Sequence, residues 1–532
     1  MIRQCPSIFN DILGPVMVGP SSSHTCAPSR IGYLCRQLLP GTLKKATIQF
    51  AQDGAYTKMY KGQRSDLGFI NGLLGRRPED PRLKNAYQDA EKSGVEVEFV
   101  IKDFLPIVPN LSHVILENTK GDTVTIYTDS TGGGTVKLFN IEGYDVEILG
   151  DCYELVVLCQ GDRSQCEKTL ASIEVCFDSN EGTSCCACDG KGLLNLKRRV
   201  PFLDSDLEKI KQLPGLIWVR VIDPILLVPS NRNATLPFHS AAELISAAHS
   251  EKKELWELAI DYEMARSGWS RKEILNQMEY IVRTMEAGVR EALTGKIDMN
   301  GILSPTAGKI KQFVDTDTHS LNMGVINAAT AWAMATMEYS SSMGVVFCAP
   351  TGGSAGIFPG AILGVMNEFG CTIEEKVKAL LVTAVLGVVI SKDCNYSAEL
   401  YGCQVEPGAA SAMAAGGLVW YMGGTPEQSC QAASCAIQNI LGTICDPVAG
   451  LVQLPCINRN AMSAANSVVC ANMIMGGFDP LIPLDEAAET LFRVGKMLPS
   501  ELRCTCRGGL CTTPCGERLA LEQESRNNAD TL

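Results

Sequence analysis

With 532 residues and a formal net charge of -13, the chain is long enough for two or three domains and too acidic to favour nucleic acid or an anionic membrane surface as a partner. No basic stripe interleaved with aromatics runs through it, and its longest apolar run, residues 379–390, falls short of the roughly 20 needed to cross a bilayer. The amino terminus lacks an apolar core followed by a cleavage site, so its 23 cysteines point to a reducing, cytoplasmic setting.

Near the start, Gly19-Pro20-Ser21-Ser22-Ser23-His24-Thr25 packs hydroxyls and one imidazole into a turn ahead of a predicted helix over 27–39. Such a cluster serves either as a helix cap or as a polar site. A strand over 47–52 and a helix ending near 74–75 follow, the latter entered through Lys61-Gly62-Gln63-Arg64-Ser65-Asp66. Alternating apolar and polar residues predict strands over 95–100, 112–117 and 123–128. Next comes Ser130-Thr131-Gly132-Gly133-Gly134-Thr135. It reads either as a plain hairpin turn or as a loop whose backbone N–H groups meet a carboxylate.

Residues 151–230 read as a second unit. Strands are expected at 153–158, 174–177 and 217–222, with helices over 164–173 and 205–212, an order like that of a small amino-acid-binding module of the ACT type. Within it, Cys185-Cys186-Ala187-Cys188 is too tightly spaced for a tetrahedral zinc site and reads as a loop. Prolines 224, 229 and 237 mark a linker.

From 238 onward helix formers dominate, first over 240–293. After a polar break at 304–318, alanine-rich helices are expected over 321–337, 373–390, 409–421, 426–440 and 461–475. Ala349-Pro350-Thr351-Gly352-Gly353-Ser354-Ala355-Gly356 lies between them, either a connecting turn or a carboxylate-binding helix entry. The fold class is therefore multidomain, with amino-terminal α+β domains followed by an all-α catalytic domain. Expected boundaries are 1–150, 151–230 and 238–515, with a polar, disordered tail over 516–532.

Three cysteines in the stretch 394–460 sit beside Gly or Pro: Cys403 in Gly402-Cys403-Gln404-Val405-Glu406, Cys445 in Cys445-Asp446-Pro447-Val448, and Cys456 in Pro455-Cys456-Ile457-Asn458-Arg459-Asn460. Their spacing matches neither compact ferredoxin runs nor paired zinc motifs, and taken alone it is better read as that of buried structural thiols. The sequence around them, however, resembles the iron-sulfur L-serine dehydratases, whose pattern includes G-C-Q-x-E and then C-D-P-V-x-G-L-V-Q-x-P-C-I-x-R-N. The opening G-P-S-S-S-H-T, the Ser-x-Gly-Gly-Gly loop and the terminal Arg507-Gly508-Gly509-Leu510 are similar too.

What the resemblance implies is a fused two-subunit enzyme that converts L-serine to pyruvate and ammonia with a [4Fe-4S] cluster. Cys403, Cys445 and Cys456 are then the permanent ligands, and Cys515 caps the open iron, with Cys504, Cys506 and Cys511 competing for that role. His24 and Ser23 become catalytic candidates. Substrate contacts fall to Ser21, Ser22, Thr25, Ser130, Gly132, Gly133, Gly134, Thr351, Gly352, Gly353 and Ser354.

Two positions depart from the family pattern. Gln63 stands where K-G-H-x-T-D has histidine, and Gly352 where A-P-T-N-G-x-A-G has asparagine. An amide cannot take a proton as imidazole does, so the base or the substrate differs. A sister lyase acting on threonine, cysteine or another β-substituted amino acid is one rival reading, and a non-catalytic cluster-bearing amino-acid sensor another. The expected partners are a small amino acid and a second copy of the chain in a homodimer, without nucleic acid or membrane.

Overall fold

A computed structural model describes residues 6–105, 107–231, 234–391 and 395–529. Cys394, the first five residues and the last three of the expected tail lie outside them.

The amino terminus is built into the helical domain. Ser7 caps a short helical turn, Ile8–Ile12, by accepting from the N–H groups of Phe9 and Asn10. Ile8, Phe9 and Ile12 then bury in the same core as the carboxy-terminal helices. The next strand, Val16–Val18, pairs antiparallel with Val345–Phe347 of the helical domain. That domain is all-α apart from this shared ribbon.

A six-stranded sheet follows, in the order Glu96–Lys102, Leu43–Ala51, Leu111–Asn118, Thr123–Gly132, Thr135–Ile141, Tyr144–Ile148. Only its first pairing is parallel. Alternation explains the register: Ile48, Phe50, Val114, Ile126 and Leu138 point inward against Ile31, Leu34 and Phe69 of helices Ala27–Leu38 and Ser65–Leu73.

The second unit is a βαββαβ module, with sheet order Leu216–Ile222, Tyr153–Gln160, Lys191–Arg198, Gly182–Cys188, all antiparallel. Two expectations fail here. Residues 174–177 are not a strand, because an Asp162/Gln165 capping box starts a helix that runs over Arg163–Glu174. Cys185-Cys186-Ala187-Cys188 is not a loop but the end of a strand, in which Cys185 and Ala187 turn toward the module's core. Cysteine alternating with small residues hides the two-residue period that marks a strand.

In the helical domain, Ile373–Ile390 is buried almost throughout and packs on Pro407–Tyr421. The expected polar break contains a helix, Ala307–Thr316, whose first N–H groups bond the distant Glu338 carboxylate. Such a cap is invisible to local sequence. The expected disordered tail is also helical over Pro514–Ala529. Thr513 accepts at its start, an Arg518–Glu522 pair spans one turn, and Arg526 donates to the Gly301 carbonyl. Among the described residues, no helix is long and apolar enough to cross a membrane.

Candidate functional site

The site forms where the hairpin and serine turn of the amino-terminal domain meet three segments of the helical domain. Ser21 sits at the N-cap of the turn Ser22–Cys26, and its Oγ accepts from the His24 N–H. Thr25 donates to the Gln63 carbonyl at 2.6 Å, and the Ser130 hydroxyl donates to the Ser23 carbonyl at 3.0 Å. These bonds fix the turn that carries His24.

His24 is fully buried. Its Nδ1 lies 2.9 Å from Ser23 Oγ and 3.7 Å from Glu399 Oε1, while its Nε2 has no hydrogen-bond partner among the described residues. Burial lowers the imidazole's pKa below its ordinary value, and Glu399 opposes that shift. The ring packs edge-on against Tyr56, with centroids 5.2 Å apart. Asp129, next to Ser130, has its pKa raised to about 6 by burial and by the Glu399 charge.

The glycine loops serve chiefly to let chains approach. Gly132 has φ of +101° and lies against Ser397, where a Cβ would come within 2.5 Å of the serine's own Cβ. Asn395 ties the neighbouring Thr131 carbonyl at 2.8 Å. Gly133 completes the turn beside Pro350, and the Gly134 carbonyl accepts from Arg30. Across the interface, the Gly352 N–H donates to Ser22 Oγ, and a Cβ at Gly352 would meet the Ser22 nitrogen at 2.8 Å. Thr351 and Ser354 bond each other in a capping box, and the Gly353 carbonyl accepts from Asn460. The Gly352 N–H is therefore already engaged within the protein.

Cys403, Cys445 and Glu406 bring their ligand atoms within 4.8 Å of one another, a grouping able to hold a metal ion. Cys456 is also buried and feels the charges of Cys403 and Glu406. All three thiols are pushed well above the ordinary thiol range. For Cys403 the causes are its hydrogen bond with Cys445 and burial, and for Cys456 burial leads. At Cys445 the bond with Cys403 pulls down, while that with Cys504 and burial push up harder. Burial likewise raises the Glu406 carboxyl to about 8. Buried thiols with so little tendency to ionise alone suit a bound cation, which supplies the charge that deprotonates them. Arg459 completes the cradle: it reaches Cys403 Sγ at 3.6 Å, the Ile444 carbonyl at 2.7 Å and Asp446 at 2.8 Å.

The structure does not bring Cys515 to this centre. It is exposed, near the start of the last helix, with its Sγ facing the Arg518 guanidinium at 3.5 Å. Cys504 instead lies beside this centre, buried in one cluster with Cys403, Cys445 and Met59. The Cys445 N–H bonds the Leu502 carbonyl and the Cys504 N–H bonds the Cys445 carbonyl. Cys506 and Cys511 both reach the Pro447 carbonyl. Gln63 is buried too, and its amide contacts Met59 Sδ at 3.3 Å.

Comparison with known proteins fits this geometry. Residues 250–511 match the family described as serine dehydratase alpha chain. L-serine dehydratase 2 of Escherichia coli (strain K12) is 33% identical over 503 residues, which cover 93% of this chain and 96% of that protein. The chain belongs to the L-serine dehydratase family. The probable L-serine dehydratase alpha chain of Bacillus subtilis (strain 168) is 36% identical over 282 residues, 53% of this chain and 94% of that one. The alpha chain of Peptoniphilus asaccharolyticus is 32% identical over a stretch of the same length. Since those alpha chains match about half of this polypeptide, it is the fused type of the family.

Sequence reasoning missed Glu399 and Asp129 as members of the site, and it weighed Cys504 only as a competitor of Cys515. Glu406 and Arg459 stood inside the quoted motifs without being given a role, and were legible there. Glu399 and Asp129 carry no motif, and only the fold places them beside His24.

Proposed function

We propose that the chain converts L-serine to pyruvate and ammonia by eliminating the β-hydroxyl. The observation that carries this reading is a buried imidazole held by Ser23 and Glu399, its Nε2 without a partner among the described residues, in the same interdomain site as the buried thiols. Cys403, Cys445 and Cys456 would hold a [4Fe-4S] cluster. When bound, such a cluster supplies a Lewis-acidic iron with a position open to the substrate hydroxyl.

The chain's own residues do the rest. His24 Nε2 accepts the α-proton, with Nδ1 held in place by Ser23 Oγ and Glu399. The C–H electrons form the Cα–Cβ double bond as the β-hydroxyl leaves, and the proton taken up by His24 is returned to it, so that it departs as water and the imidazole is neutral again. The resulting 2-aminoacrylate tautomerises to an imine, which hydrolyses to pyruvate and ammonium. Gln63, an amide, takes no proton, so the duty falls to His24 alone of the two family imidazole positions.

Every described cysteine is a free thiol, which supports a reducing compartment and hence the cytoplasm. A homodimer belongs to the same reading. Met462, Val469 and Met473 lie exposed along the helix Cys456–Met475, an apolar stripe suited to a second copy. Light scattering on the purified chain tests that point. The activity is tested by anaerobic reconstitution with iron and sulfide, followed by assay of pyruvate and ammonia from L-serine. Reconstituted protein that binds serine and releases neither product overturns the proposal.

A further inference from the structure

Away from the thiols, a cavity of about 390 Å³ opens where five parts of the chain meet. Its wall includes Phe9 of the amino-terminal segment, Arg30 of helix Ala27–Leu38, Arg77 and Glu79 beyond helix Ser65–Leu73, Leu227 of the proline-marked connector, and Phe347 of the helical domain. Its volume is within the range that holds small metabolites.

Arg30 is the group that asks for a ligand. It is 4% exposed; one terminal nitrogen donates to the Gly134 carbonyl at 2.6 Å, and its Nε is buried with no partner. Among the described residues no carboxylate pairs with it. A guanidinium taken out of water without a counter-ion is costly, and an anion in the adjoining cavity removes that cost. Arg77 is different, since its Nε lies 3.2 Å from Glu79 and a terminal nitrogen donates to the Ile225 carbonyl at 2.7 Å.

We propose that this cavity binds a small monocarboxylate with an apolar body, its carboxylate paired with Arg30. The charge sum sets the valence: two guanidinium groups against the Glu79 carboxylate leave one positive charge on the wall. A phosphate, with a charge of about -1.5 to -2 near pH 7, overshoots it. Asn10 and Tyr153 also line the wall, the Asn10 amide already bonded to both backbone groups of Val228, and Phe9, Leu227 and Phe347 suit a hydrocarbon chain.

The site has a route to the catalytic region. The carbonyl that Arg30 holds belongs to the hairpin turn whose Ser130 bonds the Ser23 carbonyl, one residue before His24. A carboxylate competing with Gly134 for the guanidinium changes how that turn is held, and the coupling is reciprocal.

Binding is read by calorimetry on the metal-free, full-length chain, so the result does not depend on turnover or on the activity proposed above. The ligand is 4-methylpentanoate, with inorganic phosphate and L-serine as comparisons. One site per chain is expected, at least tenfold tighter for 4-methylpentanoate than for either comparison. Arg30→Gln and Leu227→Trp each weaken it at least tenfold, and Cys445→Ser leaves it unchanged. Leu227 is 41% exposed, so tryptophan there obstructs the cavity without disturbing the core, and it decides the matter if Arg30→Gln does not fold. No heat from millimolar 4-methylpentanoate, equal binding of phosphate, or full binding by Leu227→Trp overturns the proposal.

Discussion

His24 Nδ1 lies 3.7 Å from Oε1 of Glu399, with the imidazole fully buried and the carboxylate's side chain 5% exposed. Two residues from different domains thus meet beneath the protein surface. Burial favours the neutral ring, the form able to accept a proton, and Glu399 stabilises the charge that appears once it has.

The Glu399→Gln variant should therefore lose about ten- to a hundredfold in kcat with a smaller change in KM. The sign of the pH effect follows from the same contact. Glu399 holds the His24 pKa up against burial, so its neutralisation drops that pKa further and moves the acid limb of the kcat/KM profile to lower pH. An acid limb that stays in place shows that His24 is not the titrating base.

Cys403→Ser, Cys445→Ser and Cys456→Ser should each abolish cluster binding, because a hydroxyl is a far poorer iron ligand than a thiolate. Iron and sulfide counts after anaerobic reconstitution check this, and full iron in one variant removes that residue from the ligand set. Air should inactivate the reconstituted wild type, which activity assays during aeration follow.

Gly352→Asn restores the family's residue at one of the two departures. The structure predicts harm, because the new Cβ would stand 2.8 Å from the Ser22 nitrogen in a closed contact between domains. A loss of roughly 1–3 kcal/mol is expected, visible as a lower Tm, together with reduced activity from displacement of the serine turn. A variant as stable and active as wild type means that this contact gives way freely.

Much of this was readable beforehand, and several of the failures share a cause. The helices Ile373–Ile390 and Pro426–Ile440 were found to the residue, since apolar spacing and a Thr-x-x-Glu or Thr-Pro-x-Gln start are local signals. The helix Ala307–Thr316 was missed because its cap, Glu338, comes from another helix. The motif cysteines stood out, but pairing Cys504 with Cys445 requires a backbone bridge between segments far apart in sequence. Long-range partners leave no trace in composition or periodicity.

Glu263 gives a stability prediction independent of the active site. Its carboxylate, fully buried, accepts from Ser7 Oγ at 2.9 Å and the Ile8 N–H at 2.8 Å, so it anchors the amino terminus to helix Leu255–Ser267. Burial raises its pKa to about 7. A raised folded-state value means that the carboxyl's stabilising contribution is complete below about pH 4.5 and is lost as pH climbs through about 7. Glu263→Gln keeps one acceptor oxygen and does not ionise, so its Tm should fall less than the wild type's between pH 5 and 8. Parallel slopes in thermal melts would falsify this.

The carboxy-terminal thiols can be told apart by the same geometry. Residues 502–504 run beside Cys445, and the Leu510 N–H ties the following turn to Asp446 at 2.8 Å, so Cys504 is buried against the cluster thiols. Cys515 lies outside, next to Arg518. A thiol that covers an open iron competes with substrate, and the apparent affinity falls by the fraction of enzyme so covered. Cys504→Ala should then tighten substrate binding or remove a slow activation phase, while making the cluster more sensitive to oxygen. Cys515→Ala should leave kinetics and oxygen sensitivity as they are. In the metal-free protein, alkylation followed by peptide mapping should label Cys515 quickly and Cys504 slowly, whatever the enzyme's activity. Fast labelling of Cys504, or altered kinetics in Cys515→Ala alone, returns the capping role to Cys515 and requires the last helix to move inward when the cluster is present.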